Sequence, residues 1–182
     1  MNIFFSTLFQ QITYPANIFM QSGVAIGDKH MGPLALINFL ELHLGLSNSC
    51  NSKVERIFNY RENLKSKSKG SFYERSLETN DLEVAVKLLN WREEWKIAGW
   101  DFKTNKSCPG RLKDLAKVEQ HNIGASFPER FCNIITALND KSKLPIDEIL
   151  LHEPEALLPA HFVKLFSFFA ELGIKVKDRD IS

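Results

Sequence analysis

The sequence predicts an α/β protein in which a parallel sheet is combined with a large, mostly helical layer or insertion. The chain opens with an apolar run of aromatic and β-branched residues at 3–8, which is typical of a buried strand. Residues 146–177 have the pattern strand, helix, strand with short connections, which indicates a right-handed βαβ unit in a parallel sheet. Between these segments, residues 33–140 are dominated by helical periodicity.

A further strand and two early helices follow from local signals. Residues 18–26 are predicted to form the second strand, since they are apolar and end at a glycine. Pro33 suits the first turn of a helix, and Gly45 stands where its C-terminal cap belongs. A second helix is predicted from about 52 to 64.

Two capping boxes place the later helix starts. Asn80 precedes Glu83 by three residues, and Ser126 precedes Glu129 by the same spacing, which satisfies free backbone donors at a helix start. The helix after Asn80 is long and is predicted to end at Gly99. Its predicted inner stripe is Ala85, Leu88, Leu89, Arg92 and Trp95. Another helix is predicted at 111–121.

Composition describes a globular protein with little net charge. Hydrophobic residues make up 44% of the 182 positions and charged residues 25%, a balance that excludes a disordered chain. The net charge of +1 gives no long-range attraction to phosphate, so any contact with nucleic acid needs a local basic patch. The three cysteines are far apart, which favours a reducing cytoplasm. Since no run approaches the roughly 20 apolar residues of a membrane span, we expect no membrane partner.

No nucleotide, metal or catalytic site is predicted. The glycines around residues 23–30 are one residue short of a GxxxxGK[ST] loop, and Asp28 would repel phosphate, so we expect a strand-to-helix turn there. The strand ending at His152 and Glu153 has histidine where active motor proteins carry a magnesium-binding aspartate. The strand around Lys175 has no acidic residue two positions before a lysine, which a PD-(D/E)XK nuclease requires. The five histidines form no pair at metal-ligand spacing.

Aromatic and basic residues are interleaved between residues 60 and 103, a mixture that holds single-stranded DNA in other proteins. Two interpretations remain open. Trp91, Trp95 and Trp100, at spacings of four and five, are either a stacking platform or helix packing. The lysines at 65–69 are either phosphate contacts or a solvated linker.

Three segments carry a resemblance to a known family. They are GPLALINFLELHLGL at 32–46, ERIFNYR at 55–61, and the stretch from Phe72 to Trp100 that contains LLNWREEWKIAGW. The chain resembles the N-terminal region of bacterial AddB-like proteins, in which an inactivated superfamily I helicase region precedes a PD-(D/E)XK exonuclease domain. It departs from the family pattern mildly, with Leu77 in place of Phe, Leu82 in place of Pro and Glu93 in place of Asp.

The resemblance implies a single inactivated, degenerate P-loop helicase-like domain over residues 1–182, truncated from a longer bacterial protein of DNA recombination or repair. It implies no enzyme activity and no cofactor in this part. The expected partners are the remainder of the parent polypeptide, single-stranded DNA and a helicase-nuclease partner subunit. Arg61, Tyr73 and Arg92 are the candidate strand contacts, although Arg92, with Asp81 and Trp100, also has the pattern of a residue that fixes the helical layer. The alternative is a structural docking domain that uses the apolar faces at 162–169 and 95–100 and binds no DNA.

Overall fold

The computed structural model describes residues 1–9, 28–47, 50–119, 122–140 and 143–178. It divides the chain into two compact units. Unit 1 consists of Met1–Asn48 and Asn133–Ser182, and unit 2 is Ser49–Cys132. Within the described residues, no helix is long and apolar enough to cross a membrane.

Unit 1 is built on a parallel sheet. Its strands are Asn2–Phe5 (β1), Lys29–Met31 (β2), Glu148–Leu151 (β3) and Lys175–Asp178 (β4), in the spatial order β2-β1-β3-β4. Every pair of neighbouring strands is parallel, which confirms the predicted α/β class and its parallel sheet. The predicted strand at 18–26 lies outside the described residues.

The helices lie close to their predicted positions. They are Pro33–Leu44 (α1), Lys53–Ser66 (α2), Glu74–Thr79 (α3), Asp81–Ile97 (α4), Gly110–Val118 (α5), Phe127–Asn139 (α6) and Ala160–Glu171 (α7), with a short 3-10 helix at Glu155–Leu157. Gly45 takes a φ of 67°, and its backbone N–H caps α1, as its position predicts. The Asn80 side chain accepts a hydrogen bond from the Glu83 N–H at 3.1 Å, which confirms Asn80 as the N-cap of α4.

The core of unit 1 forms where β1 and β3 meet α7. Ile3 and Phe5 of β1 are fully buried, and Phe5 contacts the rings of Phe162 and Phe166 at centroid distances of 5.0 and 5.1 Å. One face of α7 packs against the sheet, while Lys164 and other residues on its outer side are exposed. An amphipathic helix needs only one apolar face against a sheet.

The strand β1 is shorter than the predicted run at 3–8. Its ladder with β3 ends at Phe5, because Ser6 and Thr7 turn to the carboxylate of Glu153, which follows β3. Their hydroxyls donate to it at 2.6 and 2.5 Å, and the Thr7 N–H donates at 2.6 Å. A buried polar side chain such as Ser6 needs a hydrogen-bond partner. The chain therefore leaves the sheet at the point where the Glu153 carboxylate supplies one.

Unit 2 is helical throughout its described elements and falls within the portion predicted to be mainly helical. Its core consists of Tyr60, Leu64, Tyr73, Leu77, Ala85, Leu88, Leu89, Leu115, Val118 and Ile123. The predicted inner stripe of α4 is confirmed at four of its five positions, which are buried: Ala85, Leu88, Leu89 and Arg92. Trp95, the fifth, is only half-buried.

Candidate nucleic-acid interface

Two of the three residues predicted to contact DNA, Tyr73 and Arg92, are buried in the interior of unit 2. The Tyr73 side chain is buried in the helical core, and its hydroxyl donates to the Lys67 carbonyl at 3.3 Å. Arg92 is also buried. Neither residue offers a ring or a charge to solvent in this structure, so both act as packing and bridging residues of the fold.

Arg92 belongs to a buried charge cluster of Arg56, Arg92, Glu93, Glu119 and Glu129. Arg92 donates to Glu119 from two nitrogens and to Glu129 from a third. Arg56 donates to Glu93 at 2.7 Å, to Glu129 at 3.3 Å and to the Gly124 carbonyl. The cluster joins α2, α4, α6 and the end of α5 within unit 2. Buried charges are tolerated only when they are paired and hydrogen-bonded, as these are.

The cluster sets the ionisation of its members. Burial by itself raises the pKa of Glu129, but the charges of Arg92 and Arg56 outweigh burial, and its pKa lies below the ordinary value. For Arg92, burial lowers the pKa, and the hydrogen bonds and charges of Glu119 and Glu129 reverse the effect and raise it. Both partners therefore stay charged at neutral pH.

Sequence analysis missed Arg56, although its signal was present in the ERIFNYR segment. Arg56 comes from that segment, while Arg92 and Glu93 come from the segment that ends at Trp100. These side chains meet in one cluster, with Arg56 and Glu93 in direct contact. Residues of the two segments that carry the resemblance therefore stabilise the fold of unit 2.

Arg61, the third predicted contact, is only partly exposed. Its side chain forms ion pairs with Glu62 at 3.1 Å and with Asp81 at 3.6 Å, and its guanidinium lies 5.3 Å from the centre of the Phe58 ring. Asp81 also pairs with Lys65 at 2.6 Å, which ties α2 to the start of α4. The carboxylates neutralise the charge that a phosphate would meet, so Arg61 is a weak candidate for strand contact.

Two exposed aromatic residues of unit 2 lie one residue before the two buried positions. Phe72 precedes Tyr73, and Trp91 precedes Arg92; their side chains are 39% and 38% exposed. Both rings line a groove of about 450 Å³ between α3 and α4. The other residues that line it include Tyr73, Ser76, Asn80, Glu83 and Lys87. We call this the Phe72–Trp91 groove.

Each ring of the groove carries a cation. The Lys87 ammonium lies 5.6 Å from the centre of the Trp91 ring, and the Arg111 guanidinium lies 5.7 Å from the centre of the Phe72 ring. Lys87 stands one helical turn before Trp91 on α4, which is why the two side chains meet. A cation beside a half-exposed ring can contact a phosphate while a base stacks on the ring.

No family model, no curated protein and no solved structure matches this chain.

A local excess of positive charge accompanies these rings. Residues 96–117 contain six lysines and arginines and two aspartates, a net charge of +4 in a chain whose total is +1. Within the described residues, four of the six cations form no ion pair: Lys96, Lys106, Arg111 and Lys113. A local excess of cations is what a nearly neutral chain needs for contact with phosphate, and counting charges along a sliding window would have found this stretch.

Over the described parts of the chain, the carboxyl edge of the sheet in unit 1 offers no comparable site. The Glu153 carboxylate is occupied by Ser6 and Thr7. Burial alone raises the pKa of Glu153, but these hydrogen bonds outweigh burial and lower it. His152 beside it packs against Phe4 and Phe9. Among the described residues, no three metal-binding side chains come together.

Proposed function

We propose that this chain is a non-catalytic, DNA-contacting domain of an AddB-like protein that processes DNA ends. In this proposal, unit 2 holds single-stranded DNA in the Phe72–Trp91 groove. The remainder of the parent polypeptide and a helicase-nuclease partner subunit in the cytoplasm would carry out the chemistry. The inactivated helicase-like identity rests on the resemblance of three sequence segments, and an α/β fold with a parallel sheet is compatible with it.

One observation carries the DNA-contact proposal: two half-exposed rings, each beside a cation, line the same groove. Rings bind bases of any sequence because every base has a π face, and the cations bind the backbone. The polar side chains between the rings, such as Ser76 and Asn80, are compatible with a wet nucleic-acid interface. Single-strand binding without strong sequence preference is the activity that this chemistry supports.

The test removes each ring and follows binding of a labelled oligothymidylate by fluorescence anisotropy. We expect Phe72→Ala and Trp91→Ala each to weaken binding by about 5- to 140-fold, the value of one stacked base. The matched control is Phe58→Ala, which removes another exposed ring beside a cation, but one on α2 outside the groove. Equal affinities for all three variants and the unmodified chain would reject the groove. A loss of affinity seen only in Phe58→Ala would indicate that DNA contacts the chain at Phe58 and the neighbouring Arg61.

A second candidate function, a protein-docking domain, is favoured by exposed apolar side chains outside the groove. Three apolar side chains of unit 2 are more than half exposed: Val54, Phe58 and Leu82. Of the two docking faces predicted from sequence, the one on α7 is largely occupied, because Phe162 and Phe166 pack against the sheet of unit 1. Sedimentation analysis of the chain and of a Val54→Ser, Leu82→Ser variant tests this alternative. Concentration-dependent association that the double variant abolishes would support docking.

A further inference from the structure

A second aromatic site lies at the end of α4. Trp95, Ala98, Trp100 and Leu112 line an apolar crevice of about 230 Å³. The chain can form it because Gly99, at a φ of 99°, turns back after the helix, and the Trp100 N–H donates to the Trp95 carbonyl at 2.9 Å. The two tryptophan rings then lie 5.5 Å apart, nearly perpendicular to each other.

Other side chains pack against the Trp100 ring that forms one wall of the crevice. The buried ring of Phe102 lies 4.4 Å from the ring of Trp100. The guanidinium of Arg92 lies 5.3 Å from the Phe102 ring, so the buried charge cluster also holds this aromatic layer. A side chain that is fixed before a ligand arrives loses little conformational entropy on binding, which favours affinity.

The crevice continues the aromatic surface of the groove. Trp95 follows Trp91 by one helical turn on the same side of α4, and their rings are 6.1 Å apart. At the start of α5, Arg111 lies over Phe72 while Leu112 lines the crevice. One strand running along α4 would therefore meet both sites in succession.

Size and charge together indicate what the crevice takes. Its volume is below the roughly 300–1,000 Å³ of drug-sized ligand sites, so it suits a single ring. The surrounding stretch of residues 96–117 carries the net charge of +4, which favours a ring attached to phosphate over an apolar side chain of a protein.

We propose that the Trp95–Trp100 crevice accepts one unpaired nucleobase of the strand whose neighbouring bases stack in the Phe72–Trp91 groove. This inference rests on the proposed function and adds a second, smaller base site to it. The base lies against the tryptophan rings, and Lys96, Lys106 and Lys113 are the cations available to the adjoining phosphates.

The test fills the crevice and leaves both tryptophans in place. Ala98 is exposed and has an α-helical backbone, so Ala98→Leu is compatible with the fold and narrows the crevice. Asn90→Leu is the matched control, because it adds the same side chain to an exposed position of α4 outside both sites. Affinities are measured by anisotropy for a short oligothymidylate that spans the groove alone and for a longer one, with an abasic residue placed at each position in turn.

We expect Ala98→Leu to weaken binding of the longer strand by about 5- to 140-fold and to leave the short strand unaffected. An abasic residue at one position should remove the difference between Ala98→Leu and the unmodified chain. The contrary result is that Ala98→Leu and Asn90→Leu have equal affinities for both strands while Phe72→Ala still weakens binding. The crevice is then not a base site, and a protein side chain becomes its expected occupant. If Phe72→Ala and Trp91→Ala have no effect either, the proposed function itself fails, and the crevice proposal with it.

Discussion

Arg92 binds the carboxylate of Glu119 with two parallel hydrogen bonds, from Nε and from Nη2, each 2.9 Å long. The pair is largely buried, and a third nitrogen of Arg92 reaches Glu129. A planar guanidinium is the one cation that can make this fork to one carboxylate and still bind another. Arg92 therefore joins three helices of unit 2 from a single position on α4.

We expect Arg92→Met to destabilise the protein by about 3–5 kcal/mol, because it leaves Glu119 buried without its partner. Chemical denaturation monitored by tryptophan fluorescence measures the change. The control is Arg75→Met, which alters an exposed arginine outside the cluster and should change stability by less than about 0.5 kcal/mol. Equal stability of the two variants would contradict the structural role of Arg92.

The Glu129 carboxylate makes stability depend on pH. Its pKa is below the ordinary value of 4.5 in the folded protein, so the charged form is favoured by folding. The contribution is fully present above the pKa of the unfolded chain and is lost as pH falls through the folded pKa. We therefore expect Glu129→Gln to be less stable than the unmodified chain at neutral pH, with a gap that narrows below about pH 4.5. A gap that stays constant into acid, or an equal effect of the exposed control Glu78→Gln, would contradict this account.

Substitution of Tyr73 should affect the stability of the fold, whereas substitution of Phe72 should affect DNA binding. Tyr73→Phe removes only the hydroxyl that donates to Lys67, so we expect a loss of about 0.5–1.5 kcal/mol in stability. Affinity for single-stranded DNA should not change, since the ring stays in the core. Thermal denaturation and anisotropy on the same preparation measure both quantities. If Tyr73→Phe weakens the affinity for single-stranded DNA and leaves stability unchanged, Tyr73 contacts the DNA and this account is contradicted.

Much of the fold could be predicted because it depends on local signals. Pro33, Gly45 and the Asn80–Glu83 box act within a few residues, so α1 and α4 lie where the sequence places them. The end of β1 could not be predicted, because it depends on Glu153, which is 147 residues from Ser6 in the chain. Partners so distant leave no local pattern.

The rings of the proposed groove lie one residue before two of the contacts predicted from sequence, Tyr73 and Arg92. Periodicity identified the inner stripe of α4 and placed Arg92 on it, and an arginine in that stripe is a packing residue. Trp91 then faces outward, because adjacent helical residues point about 100° apart. Phe72 and Tyr73 also differ in burial, but they lie in the turn before α3, where the sequence has no helical period that would show which of them is buried.

The most direct test of the central claim compares single-stranded and duplex DNA of equal length in anisotropy titrations with the unmodified chain at low and moderate salt. We expect micromolar binding of the single strand and weaker binding of the duplex, whose bases cannot stack on Phe72 and Trp91. The logarithm of the single-strand affinity should fall with the logarithm of salt concentration with a slope of about −0.7 for each phosphate contacted. Absence of single-strand binding at low salt, or equal affinity for both forms, would contradict the proposal that unit 2 holds single-stranded DNA.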